Sequence, residues 1–160
     1  MTSSSPTGAT ELDVRMMRRA LELAHAAGEL GEVPVGAVVY DTATGAIVGD
    51  GANTRENAND PAGHAELIAI RAAAANLGDW RLNQCTLVVT LEPCAMCAGL
   101  IVNARLGRLV FGASDPKAGA TGSLYRLTED DRLNHRVTPI AGVLAEECGE
   151  LLREFFRARR

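Results

Sequence analysis

Aromatic side chains and long apolar segments are both scarce in this chain. Aromatic residues make up only 4% of its 160 residues, although 47% of the sequence is hydrophobic. The core must therefore be built mainly from alanine, valine, leucine and isoleucine. No apolar run approaches the roughly 20 residues that a transmembrane helix needs, so we expect no association with a membrane.

The first residues also lack the cationic start and the apolar stretch of a secretory signal peptide. Residues 1–10 are rich in serine, threonine and glycine, and we expect them to form a disordered tail. Residues 11–160 have the length of a single domain and contain no internal repeat or interdomain linker. The cytoplasm is the expected location.

Cysteine is sparse as well, with four residues in the chain. In a reducing compartment we do not expect them to form two disulfides. Cys85 and Cys148 lie in apolar patterns and are predicted to be small buried residues. The remaining pair, Cys94 and Cys97, has the spacing of metal-binding or redox cysteines.

Positive charge is not in excess, since the net charge is −4. That value does not favour a general nucleic-acid-binding protein. Arginines are nevertheless concentrated in the first helical segment and at the end of the chain, at Arg15, Arg18, Arg19, Arg153, Arg157, Arg159 and Arg160. A local basic face could contact phosphates, but the arginines could equally be a solvated helix end that the helix dipole favours.

Hydrophobic periodicity predicts an α/β fold. Helices are predicted at residues 11–28, 64–76, 94–104 and 146–159, and strands at residues 35–40, 46–50, 85–91, 108–112 and 137–141. The alternation of strand and helix late in the chain implies parallel pairing, and the opening hairpin implies an antiparallel edge. We therefore expect a central mixed five-stranded sheet.

Two short segments together supply four groups with metal-binding and acid–base chemistry. His64 and Glu66 come from H-A-E at residues 64–66, and Cys94 and Cys97 from P-C-A-M-C at residues 93–97. An imidazole and two thiolates are good zinc ligands, and three protein ligands leave the open coordination position of a catalytic site. The carboxylate can then serve as proton acceptor and donor. This order matches the H-x-E and P-C-x-x-C signature of zinc nucleobase deaminases.

We therefore predict one Zn²⁺ per subunit, held by His64, Cys94 and Cys97, with Glu66 as the catalytic proton shuttle. Cys94 and Cys97 are three residues apart, so they share one face of a helix. Pro93 lies just before the first turn of that helix, where proline is common. His64 and Glu66 can both reach over a helix end only from its first turn. The predicted site thus lies between two helix N-termini, where the dipole favours thiolates.

Each segment alone has a simpler interpretation. C-x-x-C after a strand can be a redox pair, and H-A-E at a helix start can be a surface cap. A closed structural zinc site would need a fourth ligand, for which His25, His135 and Cys148 remain open, although none has paired spacing. The co-occurrence of both segments at helix starts favours the catalytic interpretation.

With these segments in place, the chain resembles a known family, the bacterial tRNA-specific adenosine deaminases, over nearly everything after the first ten residues. The stretches that carry the resemblance are E-V-P-V-G-A-V-V at 32–39, N-D-P at 59–61, L-E-P-C-A-M-C-A-G at 91–99, F-G-A-S-D-P-K at 111–117, G-A-T-G-S at 119–123, N-H-R-V at 134–137 and F-F-R-A-R-R at 155–160. Such enzymes convert the wobble adenosine of a tRNA anticodon to inosine.

The resemblance implies a three-layer α/β/α cytidine-deaminase-like fold, a homodimer and the anticodon stem-loop of a tRNA as partner. It also implies that Asn53 contacts the base, although asparagine is common in turns such as N-T-R-E-N at 53–57. The zinc motif is shared with guanine and cytidine deaminases. A small-molecule base or nucleoside deaminase is therefore the alternative function, and a non-enzymatic zinc or redox module is a third.

The resemblance further implies that the loop carrying Asp115 and Lys117 lies beside the substrate. A carboxylate facing a polyanion is unfavourable, so we hypothesise that Asp115 accepts a hydrogen bond from a ribose 2′-hydroxyl, which DNA lacks. Lys117 would then offset phosphate charge. The alternative is that Asp115 caps its own turn. Further contacts to RNA phosphates are predicted for Arg157, Arg159 and Arg160.

The predicted helix at residues 95–104 is apolar almost all round. Such a helix needs cover on two sides, and the sheet of a small domain covers only one. A second subunit would supply the other side, and so would the long loop at residues 113–134.

Overall fold

The structure, a computed structural model, describes residues 5–159. Its elements in chain order are α1 (Glu11–Glu29), β1 (Gly36–Asp41), β2 (Ile47–Ala52), α2 (Ala65–Leu77), β3 (Cys85–Leu91), α3 (Ala95–Asn103), β4 (Arg108–Ala113), a short 3₁₀ helix (Leu127–Glu129), β5 (Pro139–Ala141) and α4 (Ala145–Arg157). Among the described residues, no helix is long and apolar enough to span a bilayer.

The five strands form one mixed sheet in the order β2-β1-β3-β4-β5. Strand β1 pairs antiparallel with both β2 and β3. Strand β4 pairs parallel with both β3 and β5. The predicted mixed sheet, with an antiparallel opening hairpin and a parallel second half, is confirmed.

Helices cover both faces of this sheet. One core cluster joins α2 and α3 to alternate strand residues such as Val39, Leu87 and Leu109. The second cluster joins α1 and α4 to the residues between them, among them Val38 and Val88. Because successive side chains of a strand point to opposite faces, the two clusters lie on opposite sides of the sheet. This is the three-layer α/β/α arrangement that the resemblance implied.

Local chemistry fixes where the first helix begins and how closely the second one packs. At the start of α1, Thr10 and Asp13 form a reciprocal capping box. Helix α2 lies against β2 so closely that a Cβ atom at Gly49 would overlap the backbone of Ala69 and Ala73. Glycine there lets the middle of α2 lie directly on the sheet.

Several predicted element ends are wrong. Strand β5 begins at Pro139 and not at residue 137, because the Val137 amide donates to Thr128 of the 3₁₀ segment. Strand β2 extends two residues further, to Ala52, because its pairing with β1 continues. Helix α4 ends at Arg157, two residues earlier than predicted.

The predicted tail, residues 1–10, lies partly outside the described residues. Within its described part, the Gly8 carbonyl accepts a hydrogen bond from Arg108 and Ala9 packs against the second core cluster. The division of the chain at residue 10 stays a prediction.

The topology brings two helix starts to one edge of the sheet. Strands β3 and β4 are parallel, so their carboxyl ends lie at the same edge, which is where α/β proteins usually bind ligands. Strand β3 ends at Leu91, and α3 begins only four residues later. Helix α2 also begins at this edge, with its N-cap residue His64 beside the Cys94 thiol.

Candidate active site

Three side chains with metal-ligand chemistry meet between α2 and α3. His64 is the N-cap residue of α2, Cys94 is the N-cap residue of α3, and Cys97 lies in the first turn of α3. The Nδ1 atom of His64 is 3.5 Å from the Cys94 Sγ and 3.6 Å from the Cys97 Sγ. A tetrahedral zinc with the usual zinc–sulfur and zinc–nitrogen bond lengths would separate such atoms by about 3.5 Å. The three residues therefore fit zinc.

The alternative interpretations of the two segments find less support. The His64 side chain makes no capping hydrogen bond at the start of α2. The spare ligand candidates lie elsewhere: His135 Nε2 is 2.7 Å from the Leu106 carbonyl oxygen, and His25 faces Glu29 on α1. Within residues 5–159, the only group of three or more histidine, cysteine or acidic side chains with metal-binding geometry is His64, Cys94 and Cys97.

The electrostatics of this cluster favour a thiolate. A hydrogen bond from Cys97, reinforced by one from His64, lowers the pKa of Cys94 to about 3 although burial opposes the shift. The same bond to Cys94, together with burial, raises the pKa of Cys97. A hydrogen bond to Cys94 also raises the pKa of His64. Cys94 is thus held in the ionised form that binds metal.

Glu66 lies in the first turn of α2 beside these ligands. Its side chain is only 4% exposed, and burial raises the pKa of its carboxyl group, although the neighbouring His64 charge opposes the shift. A buried carboxyl beside the metal ligands can take up a proton from water and release it to the substrate. The geometry therefore suits Glu66 to proton transfer.

These groups open into a cavity of about 610 Å³. Its walls contain His64, Glu66 and Cys94, together with three of the predicted substrate-binding residues, Asn53, Asp115 and Lys117. Cys97 is buried behind this wall. The volume is in the range of pockets that enclose small organic ligands. The structure thus brings together all the predicted site residues except those at the C-terminus.

The Asn53 amide is already engaged within its loop. Its Nδ2 donates to the Val33 carbonyl at 3.3 Å, and its Oδ1 accepts from the Arg55 amide at 3.4 Å. Both bonds are long, and the residue borders the cavity. The buried Glu32 fixes the same loop, because its carboxylate accepts from the backbone amides of Glu56 and Asn57.

Asp115 caps its own turn, as its alternative interpretation proposed. Its Oδ1 accepts hydrogen bonds from the amides of Lys117 at 3.0 Å and Ala118 at 3.2 Å. Both bonds use a single carboxylate oxygen, and Asp115 also lines the cavity. The capping role and the proposed contact to RNA are therefore compatible.

Of the predicted C-terminal arginines, the two that the structure describes do not line the cavity. Arg157 ends α4, Arg159 stacks over the Phe155 ring at 3.5 Å, and Arg160 lies outside the described residues. The same helix does reach the cavity, through Leu152 and Phe156. In sequence, the arginines therefore come directly after the residues of α4 that border the cavity.

Sequence reasoning assigned no role to several residues that build the site. The cavity wall also contains Val33, Val35, Arg55, Ala65, Leu91, Glu92, Ser114, Ala118, Leu152 and Phe156. Glu92 and Glu32 could have been singled out, since each is an isolated carboxylate beside an apolar strand segment. Phe156 has no comparable signal, because an aromatic residue in an amphipathic helix usually packs in the core.

Comparison with known proteins extends these observations. The chain matches the MafB19-like deaminase family over residues 12–160. The tRNA-specific adenosine deaminase of Haemophilus influenzae is 52% identical over 151 residues, which cover 94% of this chain and 87% of that protein. The enzyme of the same name from Bacillus subtilis is 46% identical over 148 residues, covering 92% of this chain and 91% of that protein.

A solved structure from a study of A-to-I editing by tRNA:A34 deaminases at the wobble position of transfer RNA has the same fold. Its TM-score is 0.82 at 40% sequence identity, and the match covers 86% of this chain and 99% of that one. Identity of this extent, over most of both sequences, shows that the chain belongs to the tRNA-specific adenosine deaminase family.

Proposed function

We propose that this protein deaminates the wobble adenosine of a tRNA anticodon to inosine. The observation that carries the proposal is the set of three ligands, His64, Cys94 and Cys97, placed with the buried Glu66 at one cavity. Membership of the tRNA-specific adenosine deaminase family selects the substrate among the bases that such a site could attack.

The reaction consumes one water and releases one ammonia. When bound, one zinc per subunit would supply Lewis acidity that makes water a nucleophile at neutral pH. Glu66 accepts the proton of the attacking water as oxygen bonds to C6 of adenine. Glu66 passes that proton to the ring nitrogen, then takes the proton of the hydroxyl now on C6 and delivers it to the departing amino group. The C6–N bond breaks, and the carbonyl of inosine remains.

The substrate must present its base in an extruded conformation, because a paired or stacked base cannot reach a buried site. A single purine fits a cavity of about 610 Å³. Asn53 offers an amide that can donate to one acceptor of the base and accept from another group. Asp115 and Lys117, which also line the cavity, contact the flanking ribose and phosphate, and Arg157, Arg159 and Arg160 contact phosphates further along the anticodon stem-loop.

We also propose that the protein works as a homodimer in the cytoplasm, where its tRNA substrate is found. Helix α3 buries Cys97, Ala98 and Ile101, and the 3₁₀ segment packs against it. The loop alternative thus accounts for part of its cover. The face that carries Met96 and Gly99 remains open, since Met96 is 40% exposed and a Cβ at Gly99 would meet no atom within 4 Å.

One assay tests the function directly. Purified protein is incubated with a tRNA carrying an unmodified wobble adenosine, and inosine is then measured in the RNA. Parallel reactions contain free guanine, cytidine or adenosine. Inosine in the tRNA with no turnover of free bases supports the proposal. Turnover of guanine or cytidine without tRNA editing would assign the protein to the small-molecule deaminases instead, and release of no ammonia would exclude an enzyme of this class.

A further inference from the structure

Glu92 is a buried carboxylate that the mechanism does not use. It follows the last residue of β3, precedes Pro93 and is only 3% exposed. Its own amide donates to the Ala113 carbonyl at 2.8 Å, which extends the pairing of β3 with β4 by one residue. The residue therefore lies between the segment with the metal ligands and the loop at residues 114–123, which follows β4.

The Glu92 carboxylate accepts four hydrogen bonds, all from that loop. Its Oε1 accepts from the Asp115 amide at 3.0 Å and from the Ser123 hydroxyl. Its Oε2 accepts from the Thr121 amide at 3.2 Å and from the Ser123 amide at 3.0 Å. One side chain thus closes a loop whose donors are up to eight residues apart in sequence. Burying an ionised carboxylate is costly unless it is satisfied in this way.

Two further contacts hold the loop at 114–123 to the same place. The Ala120 amide donates to the Pro93 carbonyl at 2.8 Å. A Cβ atom at Gly119 would overlap the Glu92 carboxylate, so glycine is required for the loop to approach it. Ser114, Asp115, Lys117 and Ala118 of this loop line the cavity together with Cys94. The wall formed by the loop therefore depends on Glu92 for its position.

We propose that Glu92 is a positioning residue that fixes the loop at 114–123 against the metal-ligand segment and thereby sets the affinity of the enzyme for RNA. This inference rests on the proposed function. In the proposed function, the loop contacts the groups that flank the target base, whereas proton transfer belongs to Glu66 at the start of α2. Release of the loop should therefore raise KM for RNA and leave kcat little changed.

Glu92→Gln tests the proposal with almost no change in size. A carboxamide has one acceptor oxygen, which can serve the two amides of Thr121 and Ser123. Its NH₂ group then faces the other side, where the Ser123 hydroxyl can accept but the Asp115 amide cannot, because it is itself a donor. The substitution thus releases the Asp115 side of the loop. Loss of one charge-assisted buried hydrogen bond corresponds to a rise in KM of about tenfold.

Two measurements and a control variant accompany the kinetics on an anticodon stem-loop. Hydrogen exchange should become faster at the Asp115 amide in the variant, with the core strands unchanged. Zinc content should stay at the wild-type value. Asp13→Asn serves as the matched control, since Asp13 is a buried carboxylate that pairs with Arg108 and Tyr40 away from the site. It should lower thermal stability without changing KM.

Ser123→Ala provides a second variant if Glu92→Gln fails to fold. It removes one hydroxyl donor and retains the three backbone donors, so we expect a smaller rise in KM in the same direction. Unchanged exchange at Asp115, loss of zinc, or an equal rise in KM in Asp13→Asn would each overturn the proposal. If the wild-type enzyme edits no RNA, the proposed function fails by itself, and hydrogen exchange, which needs no substrate, still decides whether Glu92 holds the loop.

Discussion

At the scale of single residues, Glu66 and Cys94 lie in one cluster, but substitutions at the two positions should remove different properties of the site. Cys94 is held as a thiolate by hydrogen bonds from Cys97 and His64, which is the form that a metal requires. Glu66 is a buried carboxyl with a raised pKa, which suits proton transfer and is not needed to complete the ligand set. Metal content and activity should therefore respond differently to substitution at the two positions.

We expect Cys94→Ser and Cys97→Ser to lose zinc and activity together. Glu66→Ala should keep one zinc per chain while its rate falls by a factor of about 10² to 10⁴, the usual contribution of general acid–base catalysis. Metal analysis of the purified variants, alongside the inosine assay, separates the two outcomes. A well-folded Glu66→Ala protein without zinc would identify Glu66 as a ligand and contradict the mechanism.

Asp115 allows a test of how the enzyme distinguishes RNA from DNA. Asparagine retains an oxygen that can accept from the Lys117 and Ala118 amides, so Asp115→Asn preserves the turn and removes only the charge. Without that charge, a strand that lacks the 2′-hydroxyl is no longer penalised by repulsion. We expect the ratio of DNA to RNA deamination to rise, measured on matched stem-loops. A constant ratio would leave Asp115 as a turn cap only.

At the scale of elements, helix α4 has two sides of different character. On one side, Glu146, Glu150 and Glu154 line an open groove between α4 and α1, and their negative charges would repel RNA. The other side brings Leu152 and Phe156 to the cavity. Arg153 pairs with Glu150 at 2.8 Å and with Glu146 at 3.5 Å, whereas Arg157 reaches Glu150 only at 4.0 Å and lies at the end of the helix. RNA phosphates should therefore meet the last turn of α4.

Replacing Arg157, Arg159 and Arg160 together with alanine should weaken tRNA binding and flatten its dependence on salt. For every phosphate of a single-stranded region that the variant no longer neutralises, the slope of log affinity against log salt should fall by about 0.7. Arg153→Ala is the matched control, because its charge is paired more closely within the helix, at 2.8 Å from Glu150 against 4.0 Å for Arg157. Equal salt slopes for the triple variant and the wild type would assign the three arginines to solvated surface.

The elements also show which parts of the structure the sequence encodes locally. The bounds of β3 were predicted correctly because a continuous apolar run ends abruptly at Glu92 and Pro93. The start of β5 was not, because Val137 continues the apolar pattern and only a contact with Thr128 removes it from the sheet. Local pattern determines a strand end where the apolar run stops, whereas a strand end within a continuing apolar run depends on distant partners.

The same distinction applies to the site. His64, Cys94 and Cys97 could be predicted to meet, because their spacing and their helix starts are visible in the sequence. The roles of Glu92 and Phe156 could not, since each depends on residues far apart in sequence that no spacing brings together: Glu92 accepts from Ser123, and Phe156 lines the same cavity as Val33. Residue type marks Glu92 as unusual beside an apolar strand but does not reveal which loop it holds, and it gives no signal for Phe156.

At the scale of the whole molecule, the chain leaves apolar surface that a monomer would expose to water. Leu77, Trp80, Met96, Leu124, Tyr125 and Leu133 are all at least 36% exposed. On α3, Met96 shares a helix face with Gly99 and the exposed Asn103, at intervals of three and four residues. A face that presents methionine, glycine and a short asparagine is suited to close contact with a second copy, and a twofold dimer would bury each residue twice.

Met96→Glu should therefore convert the protein to a monomer. A partly exposed methionine contributes about 1 kcal/mol when it is buried, and an unpaired charge in its place costs several kcal/mol more in each subunit. Together these effects should raise the dimer dissociation constant by a factor of about 100 or more. Leu30→Glu, at an exposed leucine after α1, is the control and should leave the dimer intact. Sedimentation velocity at micromolar concentration measures both variants, and a Met96→Glu protein that sediments as a dimer would exclude this face of α3 as the interface.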